Sequence, residues 1–150
     1  MRASTICPIR ALAITGIETL TKSFRGLITT GEVSFSVIPE PNFTKFFDLY
    51  QFSLSNPQLL FQKAGHFLAF LLLAFLLFAC FNHILKTTLY GLAFGLALEM
   101  IQPFFDRGGR MLDVLINWSG VFLFVLAYLL ISRSILILEY LKETRLSEKT

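Results

Sequence analysis

An all-α, polytopic integral membrane protein is the fold class this chain predicts, and three observations predict it. Over half of its 150 residues are hydrophobic, 17 of them Phe, while 15% are charged, against roughly a quarter in a soluble domain. Three apolar stretches each approach the ~20 residues that cross a hydrocarbon core. The links between them are short, which makes neighbouring helices run antiparallel. The expectation is a helical bundle with three clear transmembrane helices plus an N-terminal interfacial helix. A soluble bundle would need its all-round apolar helices to be central, and a chain of 150 residues leaves too little outside to cover three of them.

The elements follow in order. Residues 1–41 read as a poorly structured N-terminal segment: the apolar run in "MRASTICPIRALAITGIETL", bracketed by Arg10 and Glu18, is too short to span and lacks a signal-peptide core and cleavage site. Residues 42–56 read as an interfacial amphipathic helix, because Phe43, Phe46, Phe47, Tyr50 and Leu54 recur at helical spacing while Lys45, Asp48 and Gln51 take other faces. Residues 57–138 form the transmembrane domain and 139–150 a charged tail. Asn56 and Pro57 make a good cap and first turn for the first span, whose apolar run is Ala64 to Phe81. The second run, Thr87 to Phe105, contains Glu99 and a Gly91–Gly95 pair suited to close helix approach. The third runs from Met111 to Ser132 and continues as "RSILILEYLKE", so its helix should project past the membrane.

Charge and cysteines narrow the function classes. The net charge of +3 comes from few groups and reads as loop bias at a membrane; with no basic stripe and interleaved aromatics, no nucleic-acid partner is expected. Cys7 and Cys80 suggest neither a disulfide framework nor a thiolate metal site. No cofactor and no metal are expected, since His66, Glu99 and Asp113 form too mixed a ligand set to name an ion.

Topology then gathers the polar residues. In an up-down bundle the start of the first span, the end of the second and the start of the third share one membrane side. Lys63 and His66, Glu99 and Gln102, and Asp113 and Asn117 occupy those places, each pair at a three- or four-residue spacing that puts it on one helical face. Arg107 and Arg110 lie in the intervening loop, and Gly120 continues the Asp113–Asn117 face as a packing notch. Singly, each has a plain explanation: a snorkelling Lys63, a charged loop, an Asp113 favoured by the helix dipole, an interfacial His66. Glu99 and Asn117 are harder to dismiss, because they sit inside apolar runs and need partners there.

In order and spacing, these residues resemble the VanZ-like family of small bacterial membrane proteins, over roughly residues 57–130. The likeness rests on the lysine and histidine of "KAGHF", on Glu99 with Gln102, on Arg107 placed ahead of Asp113, and on "DVLINWSG" with Asp113, Asn117 and Gly120. Departures are Gln62, where the family usually has an acidic residue, Phe124, where a second glycine is frequent, and residues 1–40, which offer no convincing counterpart of the helix with which members usually begin. The resemblance implies a multi-pass cell-membrane protein associated with resistance to the glycopeptide teicoplanin, with the motif facing outward and the C-terminus in the cytoplasm. Counting Lys and Arg near the spans gives a tie and does not decide orientation.

Two functional readings follow. In one, the cluster binds or modifies an anionic lipid-linked or cell-wall molecule: Lys63, Arg107 and Arg110 hold the anion with Gln102 and Asn117 orienting it, and Glu99, Asp113 or His66 serves as acid or base. In the other, the polar groups are a non-catalytic network that locks the helices of a membrane binding or shielding protein. A transporter subunit would need an oligomer, because so few helices leave little room for a path. Besides the bilayer itself, the partner expected is that envelope molecule.

Overall fold

The computed structural model describes residues 3–20, 30–31, 37–41, 43–44, 46–47, 57–105 and 110–147. Its helices are α1 (Ala3–Leu20), α2 (Pro57–Phe81), α3 (Ile84–Ile101), continued by a 3₁₀ turn (Gln102–Phe105), and α4 (Met111–Ser147). The three expected spans are all helical and all long and apolar enough to cross a membrane. Their outward faces settle which solvent they meet. Leu72 and Phe75 on α2, Leu85 and Leu89 on α3, and Leu126 and Leu130 on α4 are each more than half exposed, a continuous apolar surface that lipid accepts and water does not.

Local chemistry sets the boundaries. Pro57 opens α2 at the first helical position, where its missing N–H is no loss. The α2–α3 link shrinks to Asn82 and His83 because Asn82 adopts the left-handed conformation, φ +47°, which asparagine tolerates better than most residues. The α-helical part of α3 stops at Ile101, two residues before Pro103, whose ring removes an amide donor; the chain then tightens into the 3₁₀ turn. The α4 helix is 37 residues long, ~55 Å at 1.5 Å per residue. The Tyr128 ring lies 4.7 Å from Phe78, close to the end of α2, so roughly 16 further residues, ~24 Å of helix, extend beyond its neighbours.

Within the stretch whose sequence predicts a poorly structured segment, residues 3–20 instead form a helix. α1 runs antiparallel to α2 and packs on it and, more lightly, on α3. Its inner face is small, with Ala11, Thr15 and Gly16 buried, and Thr15 Oγ1 donates to the Ala11 carbonyl at 3.1 Å. Small residues let backbones approach. The outward residues Ile9, Ile14 and Ile17 remain exposed. A second correction concerns the cysteines: Cys7 and Cys80 form a disulfide, Cα atoms 5.7 Å apart, tying the start of α1 to the end of α2. Of the expected interfacial helix, Phe43, Thr44, Phe46 and Phe47 lie in a turn or irregular structure; the rest of 42–56 falls outside the described residues.

Among the described residues, one buried apolar cluster joins Ala11, Phe70, Leu73, Ala74, Leu77, Leu98 and Val121. Glycines fix how closely helices meet around it. A Cβ on Gly120 would run into the backbone of α2, at Phe67 O and at Leu71 N, 2.9 Å away; one on Gly91 would meet only the Val121 side chain, at 3.1 Å. At Gly95 the neighbours would be Phe70, Asn117 and Trp118, so the paired glycines of α3 face α4 and α2 together. The Trp118 indole N–H donates to the Leu92 carbonyl at 2.9 Å, a further tie between α3 and α4.

Candidate functional site

Six of the polar residues singled out from the sequence are buried: Lys63 and His66 on α2, Glu99 on α3, Gln102 in the 3₁₀ turn, and Asp113 and Asn117 on α4. They come from four successive elements and sit at the end of the bundle where α2 and α4 begin and α3 ends. Glu99 and Asn117 are fully inaccessible. In an apolar surrounding each must find a partner, and the contacts show which.

Two linked sets result. Lys63 Nζ donates to Asp113 Oδ1, an ion pair joining α2 to α4. Glu99 joins α3 to α4: its Oε1 accepts from Asn117 Nδ2 and its Oε2 from the backbone N–H of Arg110, both at 3.2 Å. The second contact is a cap. Arg110 precedes α4 and its carbonyl accepts from Asp113 and Val114, so the Glu99 carboxylate meets the positive end of a long helix. Asp113 and Asn117 lie one turn apart on the same face of α4, so the two sets meet on one helix and form one polar cluster. Gly120, one turn below Asn117, brings α4 against α2 and thereby keeps Asp113 within reach of Lys63.

Not every polar atom is used. Among the described residues, Gln102 Nε2 and Asn117 Oδ1 are buried without a hydrogen-bond partner. Arg110 is half-buried and its main chain is what reaches Glu99. Arg107 lies outside the described residues. No three His, Cys, Asp or Glu side chains among the described residues gather closely enough to hold a metal ion, so His66, Glu99 and Asp113 do not form such a group.

One neighbour of the cluster has no signal in the sequence. The described parts of residues 37–47 lie against this end of the bundle: Ile38 N–H donates to the Phe104 carbonyl and Met111 N–H to the Phe46 carbonyl, each at 2.8 Å, and the Phe43 and Phe104 rings meet edge to face at 5.9 Å. The Phe46 carbonyl thus satisfies another of the free amides at the start of α4. Helical spacing of the phenylalanines marks them as apolar contacts but does not say on which element they land.

Comparison with known proteins adds an independent line. Residues 11–132 match the profile of the VanZ/LLP1 family, a span that begins inside α1 and takes in every residue of the cluster. The chain is similar to YwnJ of Bacillus subtilis (strain 168), an uncharacterized membrane protein, at 32% identity over 117 residues, covering 78% of this chain and 84% of the relative. No solved structure matches the chain significantly.

Proposed function

This chain belongs to the VanZ/LLP1 family of membrane proteins, and on that premise we propose that it acts at the bacterial cell envelope, binding or modifying an anionic lipid-linked or cell-wall molecule through its polar cluster. The observation that carries the reading is the surplus at the cluster's centre. Interhelical hydrogen bonds in membranes contribute only about 0.6 kcal/mol each, a weak reason to bury two carboxylates and a lysine. Gln102 Nε2 and Asn117 Oδ1, buried and unpartnered among the described residues, are groups a ligand can satisfy.

The roles follow from chemistry. Arg107 and Arg110 supply guanidinium groups for phosphate or carboxylate. Glu99 or Asp113, with His66, supplies a proton donor or acceptor. Lys63 holds Asp113 in place, and Gln102 and Asn117 orient the bound group. The cluster faces outward, the tail lies in the cytoplasm, and the envelope role includes glycopeptide (teicoplanin) resistance.

A second reading rests on the pairs themselves. Lys63 with Asp113, and Glu99 with Asn117 and Arg110, already satisfy one another, as a helix-locking network in a non-catalytic shielding protein would require. Teicoplanin susceptibility separates the two. A sensitive Gram-positive host would express the parent, Glu99→Gln or Arg107→Ala at matched membrane levels. Protection by the parent alone supports the site reading, equal protection by all three moves the activity away from the cluster, and none by any overturns the resistance role.

A further inference from the structure

The end of the bundle opposite the polar cluster has a chemistry of its own. Arg10 on α1, His83 in the α2–α3 link, Lys86 on α3 and Arg133 on α4 are all exposed there. The helical stretches around them, residues 3–17, 57–98 and 114–138, contain no Asp or Glu. Arg10, Lys86 and Arg133 thus put three cations at this surface, with the first carboxylate of α4 beyond them at Glu139, where that helix projects away.

Between α1 and α2 at the same end runs an apolar groove. Arg10, Ala11 and Ile14 line one side, Leu76 and Ala79 the other, with the Cys7–Cys80 bond crossing between the helices. Two alanines leave the slot open where larger side chains would fill it. Among the described residues, Arg10 is its one charged lining residue. Helical side chains lean toward the N-terminus of their helix, and the start of α1 lies at this surface, so the guanidinium is carried toward headgroup level while its stem stays beside the groove.

We propose that this groove binds one anionic phospholipid, an acyl chain lying between α1 and α2 and the phosphate held by Arg10. Apolar lining and a single cation at its upper edge match the two halves of such a molecule. A guanidinium meets a phosphate through two parallel hydrogen bonds, and Lys86 and Arg133, at the same membrane surface, favour a headgroup with net negative charge over a zwitterionic one.

The test uses delipidated full-length protein in detergent, titrated with phosphatidylglycerol or phosphatidylcholine and read by native mass spectrometry. The expected result is one retained phosphatidylglycerol, preferred over phosphatidylcholine by about fivefold or more, the factor that one basic side chain near an anionic surface supplies. Arg10→Gln should abolish the preference. Ala79→Phe, which fills the groove and leaves Arg10 in place, should weaken retention of both lipids. An intact Cys7–Cys80 bond, read by thiol labelling, serves as the folding control for both variants. Equal retention of the two lipids by the parent, an unchanged preference in Arg10→Gln, or a groove filled by a second copy in a lipid-insensitive dimer would each overturn the proposal.

Discussion

Replacing Gly120 by alanine should separate α2 from α4, and the structure gives the size of the effect. The added Cβ would meet Phe67 O and Leu71 N, both backbone atoms, the latter at 2.9 Å. Relieving this moves the helices apart by about half an ångström or more. Overpacking against a surface that cannot repack lies near the upper end of the usual range, about 3 kcal/mol. Alanine's better helix propensity returns about 1 kcal/mol. The expected net loss is therefore about 2 kcal/mol. Gly91→Ala is the matched control: its Cβ meets only the branches of Val121, at 3.1 and 3.3 Å, which shift slightly, so the propensity gain should leave that variant within about 0.5 kcal/mol of the parent. Equilibrium unfolding in mixed detergent and SDS micelles, followed by Trp118 fluorescence, measures both. A Gly120→Ala protein as stable as the parent, or a Gly91→Ala protein damaged more than it, would refute the inference that close backbone approach at Gly120 sets the α2–α4 distance.

Other expectations follow from the same contacts. Lys63→Met leaves Asp113 buried without its cation and should destabilise by about 3–5 kcal/mol, whereas Lys63→Met with Asp113→Leu should recover most of that loss; a double variant no better than the single one would contradict the pairing. Glu99→Ala removes the acceptor for Arg110 and Asn117 and should lower membrane levels, while Glu99→Gln should accumulate normally; equal levels of all three forms in a pulse-chase would argue against the cap. Cys80→Ser removes a cross-link between residues 73 positions apart and should cost about 4 kcal/mol, with a melting temperature no longer responsive to reductant. A cysteine placed at Tyr140 in a cysteine-free background should react with membrane-impermeant maleimide in inside-out vesicles, because this part of α4 lies beyond α2 and α3; full protection there and in detergent would show that the overhang is covered.

How much of this was legible in the sequence depended on whether a signal was local. The three spans were, because an apolar run of sufficient length declares itself. The cluster was too: spacings of three and four residues combined with short links leave one arrangement, and Lys63, His66, Glu99, Gln102, Asp113 and Asn117 all lie buried at one end. α1 was not legible, because Arg10, Thr15 and Gly16 interrupt its hydropathy; its inner face is chosen for smallness, a property that matters only once α2 is beside it. The disulfide was hidden for the same reason, since Cys7 comes near Cys80 only when α1 docks. The pairing within the cluster was open as well. Spacing put Glu99 and Asp113 near Lys63 alike, and only the geometry gives Lys63 to Asp113 and Glu99 to the start of α4.

The disulfide and the polar cluster lie at opposite ends of one membrane-spanning bundle, and so they report on different compartments. Disulfides persist where the surroundings oxidise and are rare where glutathione or thioredoxin keeps thiols reduced. A Cys7–Cys80 pair found oxidised in intact cells therefore places the cluster on the cytoplasmic side, reversing the proposed orientation. A pair trapped as free thiols agrees with a cluster that faces the cell wall. Rapid acid quenching followed by thiol labelling thus turns two cysteines into a compass for the whole molecule.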